Sequence, residues 1–248
     1  MQNIYDMNSV CIATYNGEKY IEAQLRSILV QLRPDDEVIV SDDGSTDNTL
    51  GVVKAIGDER VRILHSHCHD VKGNFVNALE HARGDVIFLS DQDDVWLPGK
   101  YERCVQELKY VDLVCTNSKI TDEHLNVVCD NFFRLYHSHK GILRNIINGT
   151  YYGSCMAFRR TLLSLALPMP SSQDVNHDLW LGLVAEMTGS VKFIQEPCLL
   201  YRRHKSALSQ TGKYSSFWSR SSRPLWVKIR TRMVLLYYVC KYRIQHAR

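Results

Sequence analysis

An apolar run that leads directly into a cluster of acids constrains this chain more than any other segment. Residues 86–89 read Val-Ile-Phe-Leu, and Asp91, Asp93 and Asp94 follow. A short continuous apolar run is typical of a strand buried on both faces, as in a parallel sheet. Crowded carboxylates raise one another's pKa, so they do not stabilise a fold by themselves. They indicate a site for Mg²⁺ or Mn²⁺, which prefer hard oxygen ligands; a polar turn after the strand is the alternative.

Strand-like and helix-like segments alternate through the first half of the chain. A β-α-β-α order implies a mostly parallel sheet with right-handed crossovers. In the less regular second half, we predict a helix over 179–188 and a strand over 191–194. The predictions for the first half are strands at 9–13, 37–41, 61–64, 86–89 and 113–116, and helices at 20–32, 73–82 and from Leu97-Pro98 onward.

Polar residues follow three of the predicted strands. Residues 14–16 follow the first strand, Asp42 and Asp43 the second, and residues 91–94 the fourth. Open α/β sheets bind ligands beyond the carboxyl ends of their strands. We therefore expect the three loops to form one site at one edge of the sheet.

The charges are distributed unevenly along the 248 residues, although the net charge is only +3. Residues 197–248 contain 12 Lys and Arg and no Asp or Glu, which leaves 18 basic and 27 acidic residues before them. This polarisation indicates that the C-terminal part meets an anionic partner. Its cations and its aromatic residues, such as Trp226 and Tyr237, are typical of a helix on a membrane surface. A helix packed on the rest of the protein is the alternative.

Cysteine usage and hydropathy favour the cytoplasm. The eight cysteines show no C-x-x-C spacing, and the N-terminus has no signal-peptide pattern. The longest apolar stretch among the candidates, 233–240, is far shorter than the ~20 residues that cross a bilayer. We expect a cytoplasmic protein that has no spanning helix.

Four motifs in order along the chain resemble the family 2 glycosyltransferases with the GT-A fold. They are VCIATYNG at 10–17, SDDGSTD at 41–47, FLSDQDDVW at 88–96 and NHD at 176–178. The resemblance extends over about residues 8–210 and includes bacterial enzymes of surface polysaccharide synthesis, among them rhamnosyltransferase-like members. It implies an α/β, Rossmann-like fold, with a mostly parallel sheet flanked by helices and a basic C-terminal helical segment. It also implies an inverting, metal-dependent transfer of a sugar from a UDP- or dTDP-sugar to a saccharide acceptor, which we expect to be lipid-linked.

The resemblance assigns residues to the donor nucleotide sugar. A carboxylate such as Asp43 can accept the N3–H of a uracil or thymine ring, and Lys72 is expected near the donor phosphates. A turn followed by a helix cap is the alternative for Asp42 and Asp43. The predicted donor-binding residues are Ala13, Thr14, Tyr15, Glu18, Asp43, Lys72, Asp91 and Gln92.

The resemblance also assigns a metal site and a base. Asp91 and Asp93 match the metal-binding pair for Mn²⁺ or Mg²⁺, and His204 in the closing motif is a further candidate ligand. Lys205-Ser206-Ala207 replaces the Gly-Asn-Asn expected after this histidine, which leaves its metal role open. Asp178 has the position of the catalytic base that deprotonates the acceptor hydroxyl; a helix N-cap is the alternative. His177 either orients the acceptor or is a hydrogen-bonded neighbour.

We predict a catalytic domain over residues 1–210 and a basic, aromatic helical extension over 211–248. Within the domain, 1–116 would bind the nucleotide sugar and 117–210 the acceptor. The predicted partners are the donor, a saccharide acceptor on a polyprenyl diphosphate, and the inner face of the cell membrane. Nothing else in the sequence supports a nucleic acid.

Two other functions were weighed against glycosyl transfer. A sugar nucleotidyltransferase needs a Gly-rich, basic phosphate loop after the first strand, and residues 14–18 lack one. The presence of Asp91, Asp93 and Asp178 argues against a non-catalytic module that binds sugar nucleotides or glycans. His65, His67 and His69 alternate as in a zinc site, but no second ligand pair has a recognised spacing, so we interpret them as a solvated loop.

Overall fold

The computed structural model describes residues 6–204 and 224–246. Its strands are β1 (Asn8–Thr14), β2 (Glu37–Asp42), β3 (Val61–His65), β4 (Val86–Asp91), β5 (Val95–Trp96), β6 (Leu113–Thr121), β7 (Val127–Cys129), β8 (Met156–Arg159) and β9 (Val191–Arg202). Its helices are α1 (Ile21–Leu29), α2 (Thr49–Ile56), α3 (Val71–His81), α4 (Lys100–Glu107), α5 (Phe132–Tyr136), α6 (Ile142–Ile147), α7 (Arg160–Ala166), α8 (His177–Thr188) and α9 (Leu225–Gln245), with a 3-10 turn at Gly153–Cys155. The alternation predicted for the first half is present.

All nine of these strands belong to one sheet, whose order is β3-β2-β1-β4-β8-β6-β9-β5, with β7 paired to β6. β1 runs parallel to β2 and β4, β2 to β3, and β6 to β9. β8 is antiparallel to both of its neighbours, and β5 is antiparallel to β9. The mixed, mostly parallel sheet flanked by helices confirms the predicted α/β architecture.

The central strand β4 brings the acid cluster to the edge of the sheet. Its four apolar residues, 86–89, are fully buried, as expected for a strand that is covered on both faces. The Phe88 ring packs against Trp96 and Tyr101, with ring centroids 5.3 and 5.7 Å apart. β4 ends at Asp91, so the carboxylates emerge from the core at the carboxyl end of the strand.

Two of the predicted strands, one from each half of the chain, are longer than predicted. The strand predicted at 113–116 is β6, which extends to Thr121, and the one predicted at 191–194 is β9, which extends to Arg202. The register of the pair shifts at Asn117, whose buried carboxamide donates to the Gln195 carbonyl at 2.9 Å. Polar residues that are satisfied in this way interrupt an apolar pattern without ending a strand. Because β6 crosses the predicted boundary at 116, the two halves share one sheet, and their division stays a functional proposal.

The C-terminal helix α9 packs on the rest of the protein through one face, which confirms the predicted C-terminal helical segment. Leu235, Val239 and Tyr242 are buried there. The Tyr242 ring meets Trp180 of α8 edge-on at 5.7 Å. Residues 211–223 of the predicted extension lie outside the described residues. Within residues 6–204 and 224–246, no helix combines the length and the apolarity that a bilayer crossing requires.

Candidate active site

The carboxyl ends of β1, β2 and β4 meet at one edge of the sheet. Thr14 lies opposite Asp42 in the β1–β2 register, and Ala13 lies opposite Asp91 in the β1–β4 register. The three polar loops predicted to converge therefore do lie side by side.

Asp42 shapes the loop after β2. One of its carboxylate oxygens accepts the Thr14 hydroxyl at 3.0 Å, and the other accepts the amides of Gly44 and Ser45 at 3.2 and 2.9 Å. The turn alternative thus describes Asp42 well. A side chain that is committed to its own loop is poorly placed to read a nucleobase.

Asp43 is held differently, at the junction of the β1 and β3 ends. Its amide donates to the Thr14 carbonyl at 3.0 Å, and its carboxylate accepts the His69 amide at 3.1 Å. The side chain is buried. It lies directly against the first loop, where the donor nucleobase was predicted.

Gln92 connects the acid cluster to the first loop. Its carboxamide accepts the Tyr15 amide at 3.0 Å and donates to the Tyr15 carbonyl at 3.1 Å. A Cβ at Gly17 would overlap this carboxamide, so a larger residue there would displace it. The Tyr15 side chain itself is 55% exposed. Gln92 therefore positions the loop, and the Tyr15 ring is accessible to a ligand.

Glu18 and Lys72 bond to neighbouring backbone. The Glu18 carboxylate accepts the Asn48 amide at 3.1 Å, just before α2. The Lys72 ammonium donates to the carbonyls of Pro170 and Ser172 at 3.1 and 2.8 Å. Lys72 thus joins α3 to the loop that leads into α8, and donor contacts of both side chains stay a prediction.

Asp91, Asp93 and Asp94 form a compact cluster in which one oxygen of each lies within 4.8 Å of the others. Asp94 is fully buried. One of its oxygens accepts the Arg202 amide at 2.9 Å, and the other has no hydrogen-bond partner among the described residues. A buried carboxylate oxygen without a donor is costly unless a cation meets it.

The electrostatics of the cluster follow from burial and crowding. Burial, and then the carboxylates of Asp93 and Asp178, raise the pKa of Asp91 to about 7. Burial and the other two carboxylates of the cluster raise the pKa of Asp94 well above its ordinary value. The fold therefore holds these acids together at an electrostatic cost that a divalent cation would remove.

Lys100 is a buried cation near the acid cluster, and its burial was not predicted from the sequence. Its side chain is fully buried, its ammonium donates to the Ser154 carbonyl at 2.6 Å, and it lies 4.5 Å from the Trp96 ring centroid. Burial lowers the pKa of Lys100, and its charge lowers the pKa of Asp91. Lys100 shares the buried face of α4 with Cys104, four residues on, and that spacing was the available signal.

His204 lies against the acid cluster. Its Nε2 is 2.8 Å from an Asp93 carboxylate oxygen, and its ring packs on Tyr20 with centroids 4.4 Å apart. The residues that follow, where the sequence departs from the family pattern, are outside the described part of the chain. His204 is thus placed beside the predicted metal residues, and its role as a ligand stays a prediction.

Asp178 lies in the first turn of α8 and faces the end of β4. The helix begins after Asn176, so Asp178 is not the N-cap. Its carboxylate accepts the amides of Gly153 and Leu179 at 3.2 and 2.7 Å. A Cβ at Gly153 would lie 3.7 Å from the Cβ of Asp178 and 3.7 Å from the Leu89 side chain of β4. Gly153 thus lies between Asp178 and the end of β4, and its amide holds the Asp178 carboxylate.

His177 is buried beside Asp178. Its ring stacks on Phe75 with centroids 4.2 Å apart, and its Nε2 has no hydrogen-bond partner among the described residues. Burial lowers the pKa of His177, which favours the neutral ring.

His65, His67 and His69 do not form a metal-binding cluster like that of the three aspartates. Within residues 6–204 and 224–246, the acid triad is the one cluster of three side chains whose geometry suits a metal ion. The His69 backbone amide serves Asp43 instead.

A model of a protein family, glycosyl transferase family 2, matches residues 9–165. This match covers more than half of the chain and includes β1, β2 and β4 with their polar loops. The chain therefore belongs to the family 2 glycosyltransferases, as the sequence motifs predicted.

Two relatives are bacterial glycosyltransferases. The chain is 27% identical over 206 residues to the Escherichia coli UDP-Glc:alpha-D-GlcNAc-diphosphoundecaprenol beta-1,3-glucosyltransferase WfgD. The alignment covers 81% of this chain and 79% of WfgD. It is 32% identical over 117 residues to the Shigella flexneri dTDP-rhamnosyl transferase RfbG. That alignment covers 44% of this chain and 40% of RfbG.

A solved structure shares the fold. The crystal structure of S. aureus TarS 1-349 in complex with UDP-GlcNAc superimposes with a TM-score of 0.69 at 19% identity. The match covers 93% of this chain and 66% of that one, so this chain spans just under two thirds of the solved chain. The predicted GT-A fold is confirmed.

Proposed function

We propose that this glycosyltransferase transfers one sugar, with inversion, from a UDP- or dTDP-sugar to a saccharide hydroxyl in the synthesis of a bacterial surface polysaccharide. The observation that carries the proposal is the placement of Asp178. Its carboxylate is held by two amides beside β4, close enough that its charge helps to raise the pKa of Asp91. A separate carboxylate beside an acid cluster is what base catalysis next to a leaving diphosphate requires.

The donor nucleotide lies over the carboxyl ends of β1 and β2. Asp43 accepts the N3–H of uracil or thymine, and Thr14 fixes the loop on which the base rests. The exposed Tyr15 ring offers a face to the nucleoside. A relative named for UDP-Glc and another named for a dTDP-rhamnosyl donor support both nucleobases.

The acid cluster fits Mn²⁺ or Mg²⁺. Its donor atoms are hard oxygens, and one of them, on Asp94, is buried without a hydrogen-bond partner in the described residues. Asp91 and Asp93 would hold the ion, and His204 would either bind it or orient Asp93. When bound, the ion offsets the negative charge of the nucleoside diphosphate.

Asp178 removes the proton of the acceptor hydroxyl as that oxygen attacks the anomeric carbon. The amides of Gly153 and Leu179 hold the carboxylate in one orientation, and each of its oxygens keeps a lone pair for the acceptor proton. Attack on the face opposite the leaving diphosphate inverts the configuration. The neutral, buried His177 ring lies alongside and orients the acceptor.

The acceptor is a saccharide carried on a polyprenyl diphosphate at the cytoplasmic face of the cell membrane. The printed name of WfgD specifies a diphosphoundecaprenol-linked acceptor for that relative. The basic C-terminal segment, which has no Asp or Glu after Glu196, gives this chain a contact with anionic lipid.

Thermal stabilisation by nucleotide sugars in the presence of Mn²⁺ tests the donor assignment. UDP- or dTDP-sugars should raise the melting temperature with Mn²⁺ and less without it, and slow donor hydrolysis should follow. GDP- and CMP-sugars are the matched controls. If no nucleotide sugar stabilises the protein, or if a donor binds and is never hydrolysed or transferred, a non-catalytic binding module becomes the better description.

A further inference from the structure

One face of α9 is apolar and turned away from the described part of the chain. Trp226, Ile229, Met233, Tyr237 and Ile244 are 62%, 50%, 66%, 59% and 78% exposed. Their spacing of three, four or seven residues aligns them along one side of the helix. We refer to these five residues as the α9 stripe. The residues that α9 buries, such as Leu235 and Val239, lie on its opposite side.

Cations border the α9 stripe on both sides. At 3.6 residues per turn, Arg230 and Lys241 lie along one border and Arg232 and Arg243 along the other. Arg230 also pairs with Asp174 at 3.0 Å, and Arg232 donates to the Ile147 carbonyl. α9 contains no Asp or Glu. An apolar stripe between two rows of cations matches a surface of apolar chains beneath anionic headgroups.

We propose that the α9 stripe docks this enzyme on an anionic membrane surface, with α9 lying in the plane of the interface. The proposal rests on the proposed function, because it names the face that makes the membrane contact included there. A second copy of the chain fits this face less well. Two such stripes in contact would bring cationic borders together, with no acid on either helix to pair with them.

The position of α9 relates this docking to the proposed chemistry. α9 packs on α8 through Tyr242 and Tyr238, whose rings meet Trp180 with centroids 5.7 and 6.4 Å apart. Trp180 is two residues from Asp178, so the two side chains leave α8 on different sides. With the stripe on the membrane, α9, about 10–12 Å across, lies between the lipid and α8, and the Asp178 carboxylate is turned away from α9 toward the acid cluster.

Co-sedimentation of the full chain with vesicles tests the proposal. We expect binding to phosphatidylcholine vesicles that contain phosphatidylglycerol, and weaker binding at high salt. Met233→Glu should weaken binding roughly tenfold or more, because it places a charge in the stripe. Val30→Glu is the matched control, since Val30 is 82% exposed at the end of α1, and it should bind as the wild type does. Lys241→Gln with Arg243→Gln should weaken binding to anionic vesicles only.

Equal vesicle binding by the wild type and Met233→Glu, or no binding by either, would overturn the proposal. So would a wild-type dimer in sedimentation equilibrium that Met233→Glu converts to a monomer, because a second copy would then cover the stripe. Donor hydrolysis without vesicles separates this outcome from failure of the proposed function. Met233→Glu should hydrolyse donor as the wild type does. Asp178→Asn should bind vesicles as the wild type does, whatever its effect on transfer, because Asp178 is not part of the stripe.

Discussion

The imidazole Nε2 of His204 lies 2.8 Å from a carboxylate oxygen of Asp93, although 111 residues separate them in the sequence. The contact joins the end of β9 to the loop after β4. The Arg202 amide makes a second connection, to Asp94 at 2.9 Å. The end of β9 thus closes the acid cluster, and through the Tyr20 ring it also contacts the segment that follows β1.

His204→Asn should weaken Mn²⁺ binding. A side chain that ligates the metal or orients a ligand typically contributes roughly 10–100-fold in affinity. Titration calorimetry with Mn²⁺ and UDP measures the effect. His124→Asn, at an exposed histidine outside the site, is the control. Unchanged Mn²⁺ affinity in His204→Asn would leave His204 a packing residue.

The stabilisation by Mn²⁺ should grow as the pH rises through 7. Because the pKa of Asp91 is raised to about 7, the folded protein holds a proton there that the unfolded chain has lost by about pH 5. Without metal, this group therefore makes the fold less stable as the pH rises from about 4 to 7. A cation displaces that proton. Melting temperatures with and without Mn²⁺ at pH 6, 7 and 8 should diverge progressively; a constant difference would contradict the pKa of Asp91.

Lys100→Met should destabilise the protein, and more at pH 8 than at pH 6. It removes the donor to the buried Ser154 carbonyl, which costs roughly 1–3 kcal/mol. It also removes a positive charge that favours the ionised form of Asp91. Urea unfolding at the two pH values measures both effects. Lys54→Met, at an exposed lysine of α2, is the control and should change the free energy of unfolding little. If the two variants were equally stable, the charge of Lys100 would not contribute to the stability of the fold.

Gly17→Ala should weaken donor binding through Gln92. The added methyl overlaps the carboxamide that holds Tyr15, and overpacking of this kind costs about 1–3 kcal/mol. A double-mutant cycle with Gln92→Ala, read by UDP affinity, isolates the clash. Gly17→Ala should lower the UDP affinity less in the Gln92→Ala background than in the wild type. Additive effects would place the cause elsewhere in the loop.

The sequence predicted most of the first half of the fold because most elements there have a local signal; the two-residue strand β5, which is held by β9, had none. Apolar runs gave β1, β2 and β4, and the acids that follow them gave the edge of the site. The second half escaped detection where long-range contacts decide the structure. β8 is a four-residue strand held between β4 and β6, and β6 continues through Asn117 because Gln195 satisfies its carboxamide.

The same division applies to the site. The resemblance pointed to Asp91, Asp93 and Asp178, which the structure places close to one another, yet the sequence did not show that Gln92 bonds to Tyr15 or that Lys100 is buried. These depend on which loop faces which helix. Local periodicity does not encode that information.

Turnover of the Asp178→Asn variant is the most direct test of the account. The amide keeps the size of the side chain but cannot take a proton at neutral pH. With a competent donor, Mn²⁺ and acceptor, we expect transfer to fall by about 10²-fold or more, while calorimetry shows unchanged affinity for the nucleotide. Transfer at the wild-type rate would contradict the account, because the proton would then leave by another route.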